Sequence, residues 1–196
     1  MVLTYWDSRR EALRVAEERR WIPHWRRYLD AGHASDYLNG RWEERSWLNV
    51  PGPFYAAETD TCATGRLAAP SNVLYTDHGQ EFIWKQPQNP EQVRAVLDAA
   101  YQDPFSGYAW DGDENWTVDL VRQWWAEHER VREWIERQLR NERWLKDPYD
   151  RQAVLEALRE FKSYMVGALE LLLRVYLLWL DTGRRRVTET ERLPDL

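Results

Sequence analysis

The chain has 196 residues and 23.6 kDa, with 43% hydrophobic and 31% charged residues, so it can bury a substantial core and is not disordered by composition. Its net charge of −6 and lack of a concentrated basic face argue against nucleic acid as a partner. One cysteine, Cys62, excludes an internal disulfide and any cysteine-ligated cluster, and the opening residues lack the unbroken apolar stretch of a secretory signal.

The charge is unevenly placed. Residues 1–47 carry nine basic and eight acidic side chains, 48–116 carry three against ten, and 117–196 carry fifteen of each. The middle segment also holds six of the nine prolines and five of the nine glycines. A turn-rich acidic segment between charge-balanced helical ones is the first place to seek a site for something cationic.

In chain order, Asp7 and Ser8 are N-cap types, and Ser8 with Glu11 has capping-box spacing, which predicts a helix from about residue 8 towards Leu29, interrupted at Pro23. A short helix is expected over Ser35–Trp47, weakened by Gly40. Val50-Pro51-Gly52-Pro53 and the small residues of 59–65 read as ordered irregular chain. Val73–Thr76 and Glu81–Lys85 are β-type runs flanking Asp77-His78-Gly79-Gln80, a β-hairpin. Asn89-Pro90-Glu91 starts a helix that should stop before Pro104. Thr117 caps a helix expected to continue to about Leu145. A last helix runs from Asp150 to Asp181 and stops at Gly183, packing antiparallel to its predecessor across 147–149. Tyr164–Leu180 is apolar, but Glu170 and Arg174 sit inside it, so it reads as a core helix and not as a membrane span. The expected fold class is α+β, mainly helical, with two long C-terminal helices and N-terminal helices packed around a small hairpin and an irregular central segment. The expected organisation is one domain: 1–47, 48–116, 117–186 and a tail over 187–196.

Several constellations bear on function. Asp111-Gly112-Asp113-Glu114-Asn115 places oxygen groups like the start of a calcium loop, but Trp116 stands where that loop needs glycine and Arg122 where it needs glutamate, so a capping turn is the better reading. Glu58, Asp60, Cys62 and Arg66 crowd together; a Cys62 nucleophile activated by Arg66 and His78 is the enzymatic version, and a half-buried structural thiol the bland one. The histidines have no ligand spacing, and no phosphate-loop or hydrolase motif occurs. Most of the thirteen tryptophans belong to helix faces and the core; Trp84, Trp110 and Trp116, within the acidic segment, are the candidates for exposed anchors.

The runs WLNVPGPFYAAETDTCATGRLAAPSNVLY (47–75), QEFIWKQP (80–87) and DPFSGYAWDGDENWT (103–117) resemble a group of uncharacterised actinobacterial proteins, some labelled ferredoxin. The resemblance covers about the central third. It implies a bacterial cytosolic origin and no particular activity, and one cysteine cannot hold the cluster that the label names.

The sequence therefore points to a non-catalytic cytoplasmic interaction protein whose acidic aromatic surface binds a basic protein partner, an immunity or inhibitor protein being one concrete form. No catalytic residue, cofactor or metal is expected. The expected binding residues are Glu58, Asp60, Arg66, Trp84, Trp110, Asp111, Asp113, Glu114 and Trp116. The alternative is an enzyme or small-molecule binder with a pocket between the 58–66 loop and the 111–115 turn. Neither nucleic acid nor membrane is an expected partner, and self-association through the last helix is a further expectation.

Overall fold

The computed structural model describes residues 3–20, 36–141, 151–187 and 192–196. The protein is mainly helical α+β: the described residues form eight α-helices and three two-stranded antiparallel sheets. They gather into two compact units, one of Trp6–Asn115 and one of Met1–Tyr5 with Trp116–Leu196. The boundary falls where the acidic segment gives way to helices.

In the 6–115 unit, α1 (Ser8–Arg20) is capped by Asp7, whose carboxylate accepts the Arg10 N–H at 2.8 Å; Ser8 is the first helical residue instead of the cap. The expected continuation beyond Arg20 lies outside the described residues. Ala12 and Val15 are fully buried and pack with the apolar face of α3 (Pro90–Gln102), whose Val93, Val96, Leu97, Ala99 and Ala100 are buried as well. Small side chains on both helices let their backbones approach. Glu18 and Arg94 pair across the two at 3.2 Å. Asn89 caps α3 through the Gln92 N–H at 2.9 Å, with Pro90 in the first turn where it lacks only a donor the helix does not use.

The hairpin forms as β3 (Val73–Tyr75) and β4 (Glu81–Ile83), with Gly79 at φ 88° in the turn. A second sheet joins β2 (Tyr55–Ala56) to β5 (Tyr108–Ala109). No described part of 36–47 forms the expected α-helix: Asp36 is in 3-10 conformation and a 3-10 turn spans Trp42–Glu44. Leu38 bridges Gly107 instead, and the N–H groups of Asn39 and Gly40 reach the carbonyls of Ser106 and Tyr108 at 3.1 and 2.8 Å. Gly40 explains the choice, because a Cβ there would collide with the Gly107 carbonyl. The residue that weakens a helix permits this close backbone approach.

The irregular 48–57 stretch is buried and held by two amide side chains. Asn49 Oδ1 accepts the N–H groups of Ala56 (3.1 Å) and Ile83 (2.9 Å), while its Nδ2 donates to the carbonyls of Ser46 (2.8 Å) and Ala56 (2.7 Å). Gln86 Oε1 accepts the Phe54 N–H, and its Nε2 donates to the carbonyls of Val50 and Phe54. These side chains stand in for a missing strand ladder. Two short helices complete the unit: α2 (Gly65–Ala68), and α4 (Gly112–Asn115), which is tied by its Gly112 N–H to the Pro53 carbonyl at 2.9 Å.

The other unit contains α5 (Val118–Ala126), α6 (His128–Gln138), α7 (Arg151–Val166) and α8 (Ala168–Thr182). Each long helix expected from the sequence is divided. Thr117 does cap α5, accepting the Leu120 N–H at 3.2 Å, but the helix breaks at Glu127, where the His128 ring stacks on Trp125 and its Nδ1 takes the Trp125 carbonyl. That carbonyl is the one a continuous helix offers to residue 129. Gly167, a weak helix former, divides α7 from α8, and the two are bent by 61°. The 147–149 connection lies outside the described residues. Val131, Trp134 and Ile135 of α6 and Val154, Leu158, Phe161 and Met165 of α7 are buried where these helices pack, with Glu136 and Lys162 paired at 2.5 Å. Tyr5 stacks on Tyr176 and Trp179 of α8, and β1 (Leu3–Thr4) pairs with β6 (Arg186–Val187) beyond the left-handed Gly183 cap. Among the described residues no single helix is long and apolar enough to cross a membrane; α7 and α8 pass only as a bent pair.

Candidate functional site

Three of the ten acids in the middle segment are not on the surface. Asp60, Glu81 and Asp103 are 4%, 1% and 3% exposed, and each serves the local backbone. Asp103 Oδ1 accepts the N–H groups of Asp60 (3.0 Å) and Phe105 (3.3 Å), and its Oδ2 that of Gly107 (2.7 Å), so one carboxylate shapes the 103–107 turn and pins the 58–60 loop to it. Asp60 in turn accepts the Cys62 N–H at 3.0 Å. Glu81 Oε1 accepts the Gly65 N–H at 2.7 Å, its Oε2 accepts the Tyr108 hydroxyl at 2.5 Å, and its own N–H donates to Thr59 Oγ1 at 2.7 Å. Burial outweighs these two donors and pushes the Glu81 carboxyl up to about 7, and the neighbouring Asp60 and Asp103 push in the same direction. The Tyr108 phenol, fully enclosed beside that carboxyl, is raised well above its ordinary value.

This arrangement corrects several expectations. Asp60 is structural and not presented to a partner. Arg66, 4% exposed within α2, faces the Tyr75 hydroxyl, which donates to the Ala63 carbonyl at 2.8 Å; burial raises that phenol to about 12. Trp84 is fully buried with the Lys85 ammonium 5.5 Å above its ring, and Trp116, 6% exposed, belongs to the other unit, so neither is an exposed anchor. Trp110 is half-buried against the core of the 6–115 unit.

The 111–115 turn is α4 itself. Asn115 Nδ2 donates to the Asp111 carbonyl (2.9 Å) and carboxylate (3.1 Å), the half-buried Asp111 faces the Tyr55 hydroxyl, and Glu114 pairs with Arg9 at 2.5 Å. Burial is the main cause that raises the Tyr55 phenol, and the Asp111 carboxylate adds to it. Asp113 is half-buried. Among the described residues no three His, Cys, Asp or Glu side chains are grouped to hold a metal ion. Cys62 is exposed, but its bond to Asp60 pushes the thiol up, away from the thiolate that nucleophilic attack requires, and His78 sits exposed in the hairpin turn.

Of the expected residues, Glu58 lines a concave surface. A cleft of about 310 Å³ is lined by Asn39, Gly40, Arg41 and Glu44 on one side, Ala57, Glu58, Thr59 and Gln80 on another, and Phe105, Ser106 and Gly107 on a third. This cleft includes none of 111–115; in it Glu58 and Thr59 face residues 105–107. Arg41 Nε donates to Glu44 at 2.8 Å on the rim. Glu58 is exposed and, among the described residues, has no ion-pair partner; Phe105 is 69% exposed. Phe105 is absent from the sequence-derived site, yet the sequence carried a signal for it. An aromatic in a Pro-Phe-Ser-Gly turn has no periodic face to turn towards a core.

No protein-family model, curated protein or solved structure matches this chain.

Proposed function

We propose that the protein is a non-catalytic interaction protein that binds a basic polypeptide, in the manner of an immunity or inhibitor protein, with recognition centred on the cleft between Glu58 and Phe105. The observation that carries this reading is an exposed carboxylate without an ion-pair partner among the described residues, set in a cleft that also bears a largely exposed aromatic ring. A cationic side chain gains from both: an ion pair with the carboxylate, and contact with the negative face of the ring at about 0.5–2 kcal/mol depending on desolvation. The nearby buried acids add no exposed charge but fix the loops that present Glu58 and Phe105. Charge-driven encounter makes association fast and salt-sensitive.

The test is native mass spectrometry of the tagged protein recovered from lysate of its source organism, beside the Glu58→Lys and Phe105→Ala variants. A stoichiometric basic polypeptide retained by the wild type, released by salt and lost from both variants is the expected result. Equal retention by all three chains would move the site elsewhere, and a retained small molecule would replace the interaction reading with that of a small-molecule binder.

A further inference from the structure

Residues 192–196 lie along the 116–196 unit through contacts to main-chain atoms. Arg174 on α8 donates from Nε to the Pro194 carbonyl at 2.8 Å and from Nη2 to the Leu193 carbonyl at 3.1 Å, and it meets the Asp195 carboxylate at 3.3 Å. Arg122 on α5 donates from Nε to the Asp195 carbonyl at 3.0 Å. Leu193 packs against the buried Val175 and Leu178, the same pair that Tyr5 packs against. Three consecutive carbonyls, one carboxylate and one aliphatic side chain are thus recognised by two helices. Pro194 suits the arrangement, since it favours extended chain and presents an acceptor with no competing donor. Arginine suits it equally, because its planar fork makes several directed bonds at once.

None of these contacts depends on the peptide being joined to the helices that hold it. We propose that the surface formed by Arg122, Arg174, Val175, Leu178 and Tyr5 is a docking site for an extended aliphatic-proline-aspartate peptide of another protein, with Leu193-Pro194-Asp195 as its resident competitor. The carbonyl contacts supply affinity for any extended chain; the Leu socket and the Arg174–Asp195 pair select the sequence. Leu193-Pro194-Asp195 competes from within the same chain, so a partner peptide must bind more tightly than this segment or arrive when it is displaced. The proposal is independent of the Glu58 cleft.

The test uses the full chain carrying Leu193→Ser and Asp195→Lys, which disable the tail, and a fluorescent peptide with the sequence of residues 191–196 read by anisotropy. The double variant should bind at least ten-fold more tightly than the wild type, and adding Arg174→Ala should remove that gain while the helical circular dichroism is retained. Equal weak binding by wild type and double variant, or binding that survives Arg174→Ala, overturns the proposal. A concentration-dependent dimer of the wild type that is lost in the double variant would assign the surface to a second copy and overturn it as well. Should the double variant not fold, excess peptide added to the wild type must shift the Leu193 methyl resonances towards random-coil positions; unmoved resonances refute displacement.

Discussion

Replacing Glu81 with Gln should stabilise the protein at high pH and do little at low pH. The carboxyl has an ordinary value of 4.5 and is pushed up to about 7 by burial, so the folded state holds its proton more tightly than the unfolded state does. Folding is therefore most favoured below about pH 4.5, where both states are protonated, and that advantage disappears as the pH rises to about 7, where the folded carboxyl ionises. At about 1.4 kcal/mol per pKa unit, the full penalty above pH 7 is on the order of 3 kcal/mol. Glutamine matches the protonated acid in shape: its oxygen can accept the Gly65 N–H, and its amide can donate to the Tyr108 oxygen. Urea denaturation followed by tryptophan fluorescence should find the variant and wild type within about 1 kcal/mol at pH 5, and the variant more stable by about 2–3 kcal/mol at pH 8. Tyr108→Phe should show the opposite pH dependence, costing about 1.5–3 kcal/mol at pH 8 because it removes a donor from a buried charge, and less at pH 5. A Glu81→Gln effect of the same size and sign at both pH values would refute the reasoning.

Asn49→Ala deprives the Ala56 and Ile83 N–H groups of their shared acceptor and should lower stability by about 2–4 kcal/mol, read as a shift of the urea midpoint. Gly40→Ala places a Cβ against the Gly107 carbonyl and should cost about 1–3 kcal/mol, with faster amide exchange at Asn39 and Gly40. Glu58→Lys and Phe105→Ala alter exposed side chains and should change the stability read from urea denaturation by no more than about 0.5 kcal/mol, while partner retention falls; a larger loss of stability would show that the cleft walls hold the fold.

Local signals were legible where the physics is local. The Asn89 and Thr117 caps, the Gly183 stop and the Gly79 turn each depend on a few neighbouring residues, and the sequence marks all four. The helix breaks at Glu127 and Gly167 were harder to see because periodicity continues through both; a histidine competing for a carbonyl leaves no gap in the apolar pattern. Residues 36–47 carried helical spacing, but their partner, the 106–108 backbone, lies far along the chain. The same distance hid the fate of the acids. Charge counting cannot distinguish Asp103, whose carboxylate accepts the Asp60 N–H from a remote loop, and Asp60, whose carboxylate accepts the Cys62 N–H, from Glu58, which is left at the surface. Trp84 and Trp116 were misplaced for a related reason, since an acidic neighbourhood in sequence is not an acidic neighbourhood in space.

The ion pair between Arg9 and Glu114 bears on the order of assembly. Strand β1 must wait for β6, near the other end of the chain, before it can pair. Closing so long a loop in an unfolded chain costs on the order of 4–5 kcal/mol in entropy. Arg9 and Glu114 meet at the two ends of the 6–115 unit, so once that unit has folded its own termini are already together. The loop still to be closed then shrinks to about 80 flexible residues, easing the last pairing by roughly 0.7 kcal/mol. A surface pair of small worth to equilibrium stability thus marks a splice point, where most of the chain drops out of the search that joins its first strand to its last.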